Sequence, residues 1–460
     1  MSFIRFIIAL WIGKLMRAIM RALGRNATYL PGAAALRICP EFLARAGKPE
    51  MIISVTGTNG KTTVCNLIIG LLTRNGVSVL HNRLGSNTVA GIAASLLSGC
   101  KLTGKSRFRT AVFETDERTT RLLFPHVIPN YLVITNLFSD SIMRNAHPEF
   151  IMGVIENALP NTVKLILNCD DPLSSRIAPR NARVYFGVDR LDDDVTECVN
   201  RINDMRLCPE CDGALVYDYR RYHHIGRARC PSCGFRSPTP DYRASRVDFD
   251  AMTMTVSDAD GECEYALLSD SVFNAYNQLT AVAVMRELGY EHAGIRADFD
   301  SGVTIPSSRY NEERAGDVTV IMQMAKGKNA LACSRVFDYV SSRPGEKELI
   351  LIMNDLHDAK KWSENTSWLY DCDFEFLRRD GITRIVAAGP RALDYYYRLL
   401  LAGVPEERLR CSVPELDAPA HLEFRRGGSV YILYGADAIE LAERVSAETK
   451  RVAEVSCHSN

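Results

Sequence analysis

The chain has 460 residues, of which 47% are hydrophobic and 24% are charged, so it is long enough to fold into two or three domains of a soluble protein. Its 55 basic residues balance 55 acidic ones, which excludes a net field that would attract nucleic acid or anionic lipid to the whole molecule. Most of the 14 cysteines are scattered singly, as is typical of small core residues in the reducing cytosol, and we expect a cytoplasmic protein.

The first predicted element is an amphipathic helix over residues 3–23, where basic and apolar side chains recur at helical spacing. Its uncharged run, residues 6–13, is too short to span a bilayer, and no small-residue cleavage site follows it. Two interpretations stay open. The helix packs on the adjacent domain, or it lies in a membrane interface.

A phosphate-binding loop is predicted next, at residues 57–63, because an apolar strand (52–55) breaks there into the glycine-rich turn G-T-N-G-K-T-T before a helical pattern. Backbone N–H groups of the turn can converge on phosphate oxygens at the start of a helix. Lys61 can reach the β- and γ-phosphates, and the Thr62 hydroxyl can ligate Mg²⁺. The turn predicts an ATP site; an ordinary strand–turn–helix corner is the alternative.

Alternating strands and helices predict a doubly wound α/β architecture with a parallel sheet. The strands of a first series are predicted at residues 52–55, 76–80, 110–113, 131–134, 163–167 and 183–186, with helices at 150–158 and 274–288. A second series has strands at 318–322, 349–353, 384–388 and 430–433 and helices at 330–341, 391–402 and 436–451. A polar stretch, residues 306–317, marks the boundary between the two series.

Two C-x-x-C knuckles interrupt the first series, and together they present four thiols: Cys208, Cys211, Cys230 and Cys233. This spacing is typical of a zinc ribbon, in which four protein ligands close a structural rather than catalytic site. Unligated core thiols or a redox pair are the alternatives. With four thiolates available, we expect His223 and His224, which lie between the knuckles, to be exposed ribbon residues and not ligands.

These features together resemble the Mur ligase superfamily, and within it the MurT family. The phosphate loop has two residues between its glycines where the general motif has four, only about fifty residues precede it, and the central domain carries the cysteine insert. Further segments that carry the resemblance are Leu30-Pro31-Gly32, Glu114-Thr115-Asp116-Glu117, Thr135-Asn136-Leu137-Phe138, Asn168 to Pro172 and Phe273 to Asn277. The resemblance implies a short N-terminal segment (1–50), a Mur ligase central ATP-binding domain (51–312, with the ribbon at about 205–238) and a Rossmann-like MurT-type C-terminal domain (313–460).

The resemblance also implies the members of the ATP and Mg²⁺ site. They are Gly57, Thr58, Asn59, Gly60, Lys61, Thr62, Thr63, Glu114, Asn274 and Asn277. Glu114 is the predicted metal ligand, because it ends a strand at the edge where the phosphate loop lies, with Asp116 or Glu117 as substitutes.

Several further roles follow from the family. Asn274 and Asn277 open a helix and resemble the contacts to adenine or ribose, although simple N-capping by Asn274 is an alternative. Asn82, Arg83 and Asn87 stand where the family has a substrate-facing loop. Lys326 and Arg309 could neutralise phosphates or the substrate carboxylate.

The activity that the resemblance implies is ATP-dependent amidation of the D-glutamate α-carboxylate in the lipid II stem peptide to D-isoglutamine, through an acyl phosphate. The ammonia would come from a GatD-like glutamine amidotransferase subunit, and the two chains would form a heterodimer. Peripheral contact with the inner face of the membrane is compatible with the lipid-linked substrate, and no nucleic acid is expected. The cofactors implied are ATP, Mg²⁺ and structural Zn²⁺.

In the family an aspartate of the C-terminal domain orients the histidine of the partner's Cys–His pair, as a triad acid does. The corresponding segment here departs from the family pattern, and the assignment lies among Asp355, Asp358 and Asp371. We choose Asp355 as the third predicted catalytic residue beside Lys61 and Glu114, because it follows a predicted strand. A stand-alone amino acid ligase of the Mur or folylpolyglutamate type, and a non-catalytic scaffold, are the rival functions.

Overall fold

The structure, a computed structural model, describes residues 2–83, 86–139, 147–305, 310–325, 329–352, 366–435 and 438–457. The chain divides into two compact units. Unit 1 comprises Met1–Ser139, His147–Cys198 and Asn203–Ile305. Unit 2 comprises mainly Pro306–Asn460, and Val199–Ile202 also belongs to it.

The helices and strands of the described residues are numbered in chain order. The helices are α1 (Ser2–Ala22), α2 (Leu30–Ile38), α3 (Phe42–Arg45), α4 (Lys61–Arg74), α5 (Val89–Gly99), α6 (Thr120–Leu123), α7 (Pro148–Ala158), α8 (Val272–Glu287), α9 (His292–Asp300), α10 (Ala330–Ser342), α11 (Trp368–Asp371), α12 (Ala392–Leu401) and α13 (Ile439–Cys457). The strands are β1 (Met51–Thr56), β2 (Val79–His81), β3 (Thr110–Glu114), β4 (Tyr131–Ile134), β5 (Lys164–Asn168), β6 (Arg183–Val188), β7 (Val216–Tyr222), β8 (Ile225–Arg229), β9 (Tyr242–Asp248), β10 (Thr253–Asp258), β11 (Gly261–Ala266), β12 (Tyr310–Ala315), β13 (Val318–Met324), β14 (Lys347–Ile352), β15 (Ile382–Ala388), β16 (Leu409–Ser412) and β17 (Ser429–Tyr434).

Unit 1 is built on a nine-stranded sheet with the strand order β11-β10-β9-β6-β5-β4-β1-β3-β2. Strands β1 to β6 pair in parallel, and β9 joins β6 in parallel. Five of the six residues of β1 are buried, as expected of a parallel strand covered on both faces. The predicted parallel α/β sheet is confirmed, and β4 has the predicted bounds.

An antiparallel edge, residues 242–266, extends this sheet beyond the prediction. Strand β10 pairs antiparallel with both β9 and β11. Met254 and Val256 alternate with less buried neighbours, which is the period-two pattern of a half-covered strand. The pattern is present in the sequence, but the predicted strands of the first series end at residue 186 and do not include it.

Unit 2 contains a six-stranded sheet with the strand order β12-β13-β17-β14-β15-β16. All its pairs are parallel except β12 with β13. The predicted second βα series is confirmed, with β12 and β16 as additional edge strands. Strand β12 lies within residues 306–317, the polar stretch predicted as the boundary between the two series.

The N-terminal helices belong to the core of unit 1. Phe6 and Leu10 of α1 and Phe42 of α3 are buried in one cluster with Leu96 and Leu97 of α5. The rings of Phe6 and Phe42 lie 5.4 Å apart. One face of α1 is therefore packed on the unit that carries the phosphate loop.

Candidate functional site

The turn between β1 and α4 passes so close to its neighbours that two positions exclude a side chain. A Cβ on Gly57 would lie 2.3 Å from Thr135 Oγ1, and a Cβ on Gly60 would lie 2.4 Å from Asn277 Oδ1. Both glycines also have positive φ angles, 124° and 89°, which only glycine adopts readily. The glycines of the predicted phosphate loop are thus required by the fold around it.

The segment that follows β4, residues 135–138, holds this loop by hydrogen bonds. Thr58 N–H donates to Asn136 O at 2.8 Å, and Asn59 N–H donates to Asn136 Oδ1 at 3.0 Å. In return Phe138 N–H donates to the Thr58 hydroxyl at 2.9 Å.

These bonds bear on the predicted phosphate cradle. The amides of Thr58 and Asn59 donate to Asn136, so a phosphate that takes these two amides must displace those bonds. The amides in the first turn of α4, from Lys61 to Thr63, have no acceptor within the helix by geometry and remain suited to phosphate oxygens.

The side chain of Lys61 forms an ion pair with the carboxylate of Glu117. Its Nζ lies 2.8 Å from Glu117 Oε1, with both side chains largely buried, and it also donates to the carbonyl oxygen of Gly57. Burial raises the pKa of Glu117, and the charge of Lys61 opposes that rise. A phosphate that binds Lys61 must therefore compete with Glu117.

Glu114 and Thr62 form the predicted oxygen pair for a cation. The Thr62 hydroxyl donates to Glu114 Oε2 at 2.8 Å, and Asn87 Nδ2 donates to Oε1 at 3.2 Å. A hydroxyl and a carboxylate are the hard oxygen ligands that Mg²⁺ takes beside phosphates. The donor set fits Mg²⁺.

Asn82, which the family resemblance predicts in a substrate-facing loop, contacts the main chain of Glu114. Its side chain is buried and brackets the main chain of Glu114, accepting from the N–H at 2.9 Å and donating to the carbonyl oxygen at 2.7 Å. It therefore fixes the end of β3 through the main chain of Glu114, whereas Arg83 is exposed. Asn87 contacts Glu114, the predicted Mg²⁺ ligand, through its side-chain amide.

Asn277 lies against the phosphate loop, as its approach to Gly60 shows. Its Nδ2 donates to Asn274 Oδ1 at 3.1 Å, and Asn274 in turn donates to Ser269 Oγ. The alternative of N-capping by Asn274 is wrong, because α8 begins at Val272 and Ser271 occupies the N-cap position.

The four cysteines of the knuckles form a compact group in which all Sγ atoms lie within 4.8 Å of one another. The Sγ atoms of Cys208 and Cys233 are 3.5 Å apart, and those of Cys211 and Cys230 are 3.6 Å apart. Thiolates bound to one tetrahedral Zn²⁺ at about 2.3 Å would be separated by similar distances. Desolvation acts to raise the pKa of Cys230, but backbone N–H groups of Cys233 and Ser232 together with the thiols of Cys211 and Cys233 lower that pKa to about 6. The arrangement fits structural zinc.

The prediction that His223 and His224 are exposed is wrong. Both side chains are buried at the turn between β7 and β8, and His224 Nε2 lies 3.2 Å from Asp171 Oδ1. Asp171 Oδ2 accepts from the N–H of Leu137, next to the segment that supports the phosphate loop. The histidines thus anchor the inserted hairpin in unit 1.

A second buried contact of this hairpin is ionic. Arg221 pairs with Asp170 and with Asp194, each at 3.2 Å, and Tyr276 of α8 donates to Asp170 at 2.7 Å. Asp170 and Asp171 lie in a segment that carries the family resemblance, but Arg221 and His224 are 51 and 53 residues away from them in the chain, and Tyr276 is 106 residues from Asp170. Local patterns could not reveal this pairing.

Some predicted residues lie outside the described part of the chain: Asp355, Asp358, Lys326 and Arg309. Asp371, the remaining candidate for the partner's triad, ends α11 in unit 2 and is half-buried. Burial raises its pKa, and Arg201 opposes that rise.

Comparisons with known proteins place the chain beside a family of cell-wall ligases. The family described as MurT ligase C-terminal matches residues 327–436. The chain is 32% identical over 400 residues to the lipid II isoglutaminyl synthase (glutamine-hydrolyzing) subunit MurT of Staphylococcus aureus (strain COL), covering 86% of this chain and 88% of that protein. It is 30% identical to the subunit of the same name from Streptococcus pneumoniae (strain ATCC BAA-255 / R6), over 87% of this chain and 88% of that one.

A solved structure shows the same fold. The pseudomurein peptide ligase type C of Methanothermus fervidus superposes with a TM-score of 0.66 and 17% sequence identity, over 90% of this chain and 81% of that one. At that identity the likeness concerns the fold alone.

Proposed function

The chain belongs to the MurT family of Mur ligases, and we propose that it amidates the D-glutamate α-carboxylate of the lipid II stem peptide to D-isoglutamine with ATP. The relatives that are 30% and 32% identical carry the name of the ligase subunit of lipid II isoglutaminyl synthase. The observation that carries the proposal is the cluster of Lys61 and Thr62, at the start of α4, with Glu114, at the end of β3, because it unites a phosphate-binding cation with oxygen ligands for Mg²⁺.

The reaction has two steps because a carboxylate is a poor electrophile. A carboxylate oxygen attacks the γ-phosphorus of ATP, the bond from that phosphorus to the β-bridging oxygen breaks, and ADP leaves. Ammonia then attacks the acyl carbon, inorganic phosphate departs with the bonding electrons, and nitrogen loses a proton to give the amide.

Lys61 serves the first step by offsetting negative charge on the phosphoryl group in transfer. The amides in the first turn of α4 point their N–H groups in the same direction and stabilise the same charge. Mg²⁺ held by Thr62 and Glu114 would add positive charge beside the phosphates.

Ammonia is the second substrate, and at neutral pH it is mostly protonated and unreactive. The names of the relatives state that their synthases hydrolyse glutamine and that MurT is one subunit. We therefore propose a glutaminase subunit as the partner of this chain, delivering unprotonated ammonia.

An exposed apolar row on α12 in unit 2 is suited to that partner. Leu393, Tyr397 and Leu401, spaced by one helical turn, are 64%, 61% and 70% exposed. Protein surfaces seldom leave such a row open unless another molecule covers it. The row lies within residues 327–436, the part that matches the MurT C-terminal family.

Replacing Tyr397 with aspartate should weaken binding of the glutaminase subunit at least thirtyfold, about the effect of losing an aromatic anchor of an interface. The dissociation constant is measured by biolayer interferometry with the co-expressed partner. The matched control is Leu122→Asp, a change at a 55% exposed leucine on α6 in unit 1, which should leave binding unchanged. Equal affinity of Tyr397→Asp and the unmodified protein would assign the contact to another surface.

The proposed function is tested with the purified chain, the glutaminase subunit, lipid II, ATP and glutamine. ADP and the amidated lipid should appear together, and omission of lipid II, glutamine or the partner should prevent both. Ammonium chloride at high pH should replace glutamine and partner, because it supplies free ammonia directly. A product that contains an added amino acid in place of the amide would instead establish a stand-alone amino acid ligase.

A further inference from the structure

The N-terminal helix α1 exposes a long apolar face. Seven apolar side chains of α1 and Leu23, which directly follows the helix, are between 45% and 69% exposed. The seven are Phe3, Ile4, Ile8, Trp11, Ile12, Leu15 and Ile19. At 100° per residue they occupy one side of the helix, with Leu15 near its centre. Such a continuous face is larger than the isolated apolar residues that protein surfaces normally carry.

The opposite side of α1 is fixed to unit 1, so the apolar face keeps a set orientation on that unit. Phe6, Ala9 and Leu10 are buried in the unit's core. The indole N–H of Trp11 donates to the carbonyl oxygen of Leu102 at 3.0 Å, and Leu102, 60% exposed, adds to the face. The exposed residues are therefore not needed for packing within unit 1.

The N-terminal segment that carries this face has charges of one sign. The first 40 residues contain no aspartate or glutamate, and their charged residues are Arg5, Lys14, Arg17, Arg21, Arg25 and Arg37. Arg107, on the loop beside α1, lies close enough to act on two of them: burial and then Arg107 lower the pKa of Lys14, while burial, Arg21 and Arg107 lower the pKa of Arg17. The chain as a whole is neutral, so this is a local concentration of positive charge.

We propose that α1 docks the protein on a bilayer that contains anionic phospholipid, with its axis parallel to the membrane and its apolar face in the acyl–headgroup boundary. Apolar and aromatic residues flanked by arginine and lysine are the composition of interfacial helices. A protein partner would have to match a long apolar row flanked by the basic residues of the N-terminal segment, whereas a bilayer supplies apolar depth and negative headgroups together. Among the described residues, no helix has both the length and the apolar character required to cross the bilayer.

Flotation with lipid vesicles tests this docking on the full-length chain. Vesicles of phosphatidylcholine with about a third phosphatidylglycerol should carry the protein to the top of the gradient, and pure phosphatidylcholine vesicles should carry much less. Leu15→Asp should weaken partition at least tenfold, because it places a charge in the centre of the face. Arg21→Gln with Arg25→Gln should weaken it roughly fivefold for each charge removed, on anionic vesicles only.

The control for the apolar face is Phe150→Asp, since Phe150 is 49% exposed on α7, at a different part of unit 1. It should float like the unmodified protein, and thermal melts should show that each variant is folded. The proposal is wrong if the unmodified chain does not float, or if Leu15→Asp floats equally well. It is also wrong if sedimentation shows that α1 joins two copies of the chain and that Leu15→Asp separates them without any vesicle binding. Vesicle binding needs neither ATP nor glutamine, so a failure here leaves the proposed amidation untouched.

Discussion

We expect the Lys61→Ala variant to release ADP about a hundredfold to a thousandfold more slowly in the presence of lipid II, glutamine and the glutaminase subunit. This is the usual effect of removing one group that stabilises transition-state charge. The physical reason is that Lys61 is the cation of the phosphate loop, and the amides of α4 cannot replace a full positive charge. Coupled-enzyme measurement of ADP, with kcat and KM for ATP determined separately, checks this expectation.

The stability of this variant gives an independent test of the Lys61–Glu117 contact. Burial already raises the pKa of Glu117 above its ordinary value of 4.5, and Lys61 opposes that rise. Without Lys61 the folded-state pKa rises further, so the folded protein binds a proton that the unfolded chain releases. Stability is then retained at low pH and lost as the pH rises from the ordinary value through the raised one. The melting temperature of Lys61→Ala should therefore fall further below that of the unmodified protein at pH 8 than at pH 5.

Two comparisons separate a catalytic role of Lys61 from a structural one. The double variant Lys61→Ala with Glu117→Gln should recover the melting temperature at pH 8, since the buried carboxylate is gone, but it should recover no ADP release. Lys101→Ala, at an exposed lysine of the same unit, should match the unmodified protein in both measurements. Substantial ADP release by a folded Lys61→Ala variant would disprove the assigned role of Lys61.

The phosphate loop and the parallel strands could be predicted because their signals are local. The glycines, Lys61 and Thr62 stand together in the chain, and the position of Glu114 follows from the rule that parallel strands end at one edge of the sheet. The contacts between these residues needed side-chain directions that no spacing gives. Glu117 was considered only as a substitute metal ligand, whereas it pairs with Lys61.

The inserted hairpin shows the opposite case. The spacing predicts its four cysteines as one group, but His223 and His224 are predicted exposed because four thiolates leave no ligand position for them. Their burial depends on Asp171 and on Phe138, which come from distant parts of the chain. Similarly, Asn274 resembles an N-cap in sequence, yet Ser271, three residues earlier, is the N-cap of a helix that begins at Val272. Tertiary partners decide the positions of the two histidines.

The Cys230→Ser variant is expected to hold less than roughly a tenth of the zinc of the unmodified protein, which should bind about one ion per chain. Metal analysis of the purified protein checks this. Without the ion the knuckles lose their main stabilising interaction, and limited proteolysis should cut the insert at residues 205–238. The matched control is Cys263→Ser, because Cys263 is a half-buried cysteine on the edge strand β11, and its replacement should leave zinc and proteolysis unchanged.

Loss of zinc should also lower the activity with ATP, because the zinc ribbon and the phosphate loop are connected by contacts. The hairpin that leaves the knuckles carries His224, which holds Asp171, and Asp171 holds the Leu137 amide beside the segment that supports Thr58 and Asn59. Displacement of that segment by about 1 Å is enough to lower kcat/KM for ATP up to a hundredfold. Zinc content near one ion in Cys230→Ser would refute the ribbon as a four-thiolate site. Zinc loss with unchanged kcat/KM for ATP would instead show that the hairpin stays anchored by Arg221 and the two histidines alone.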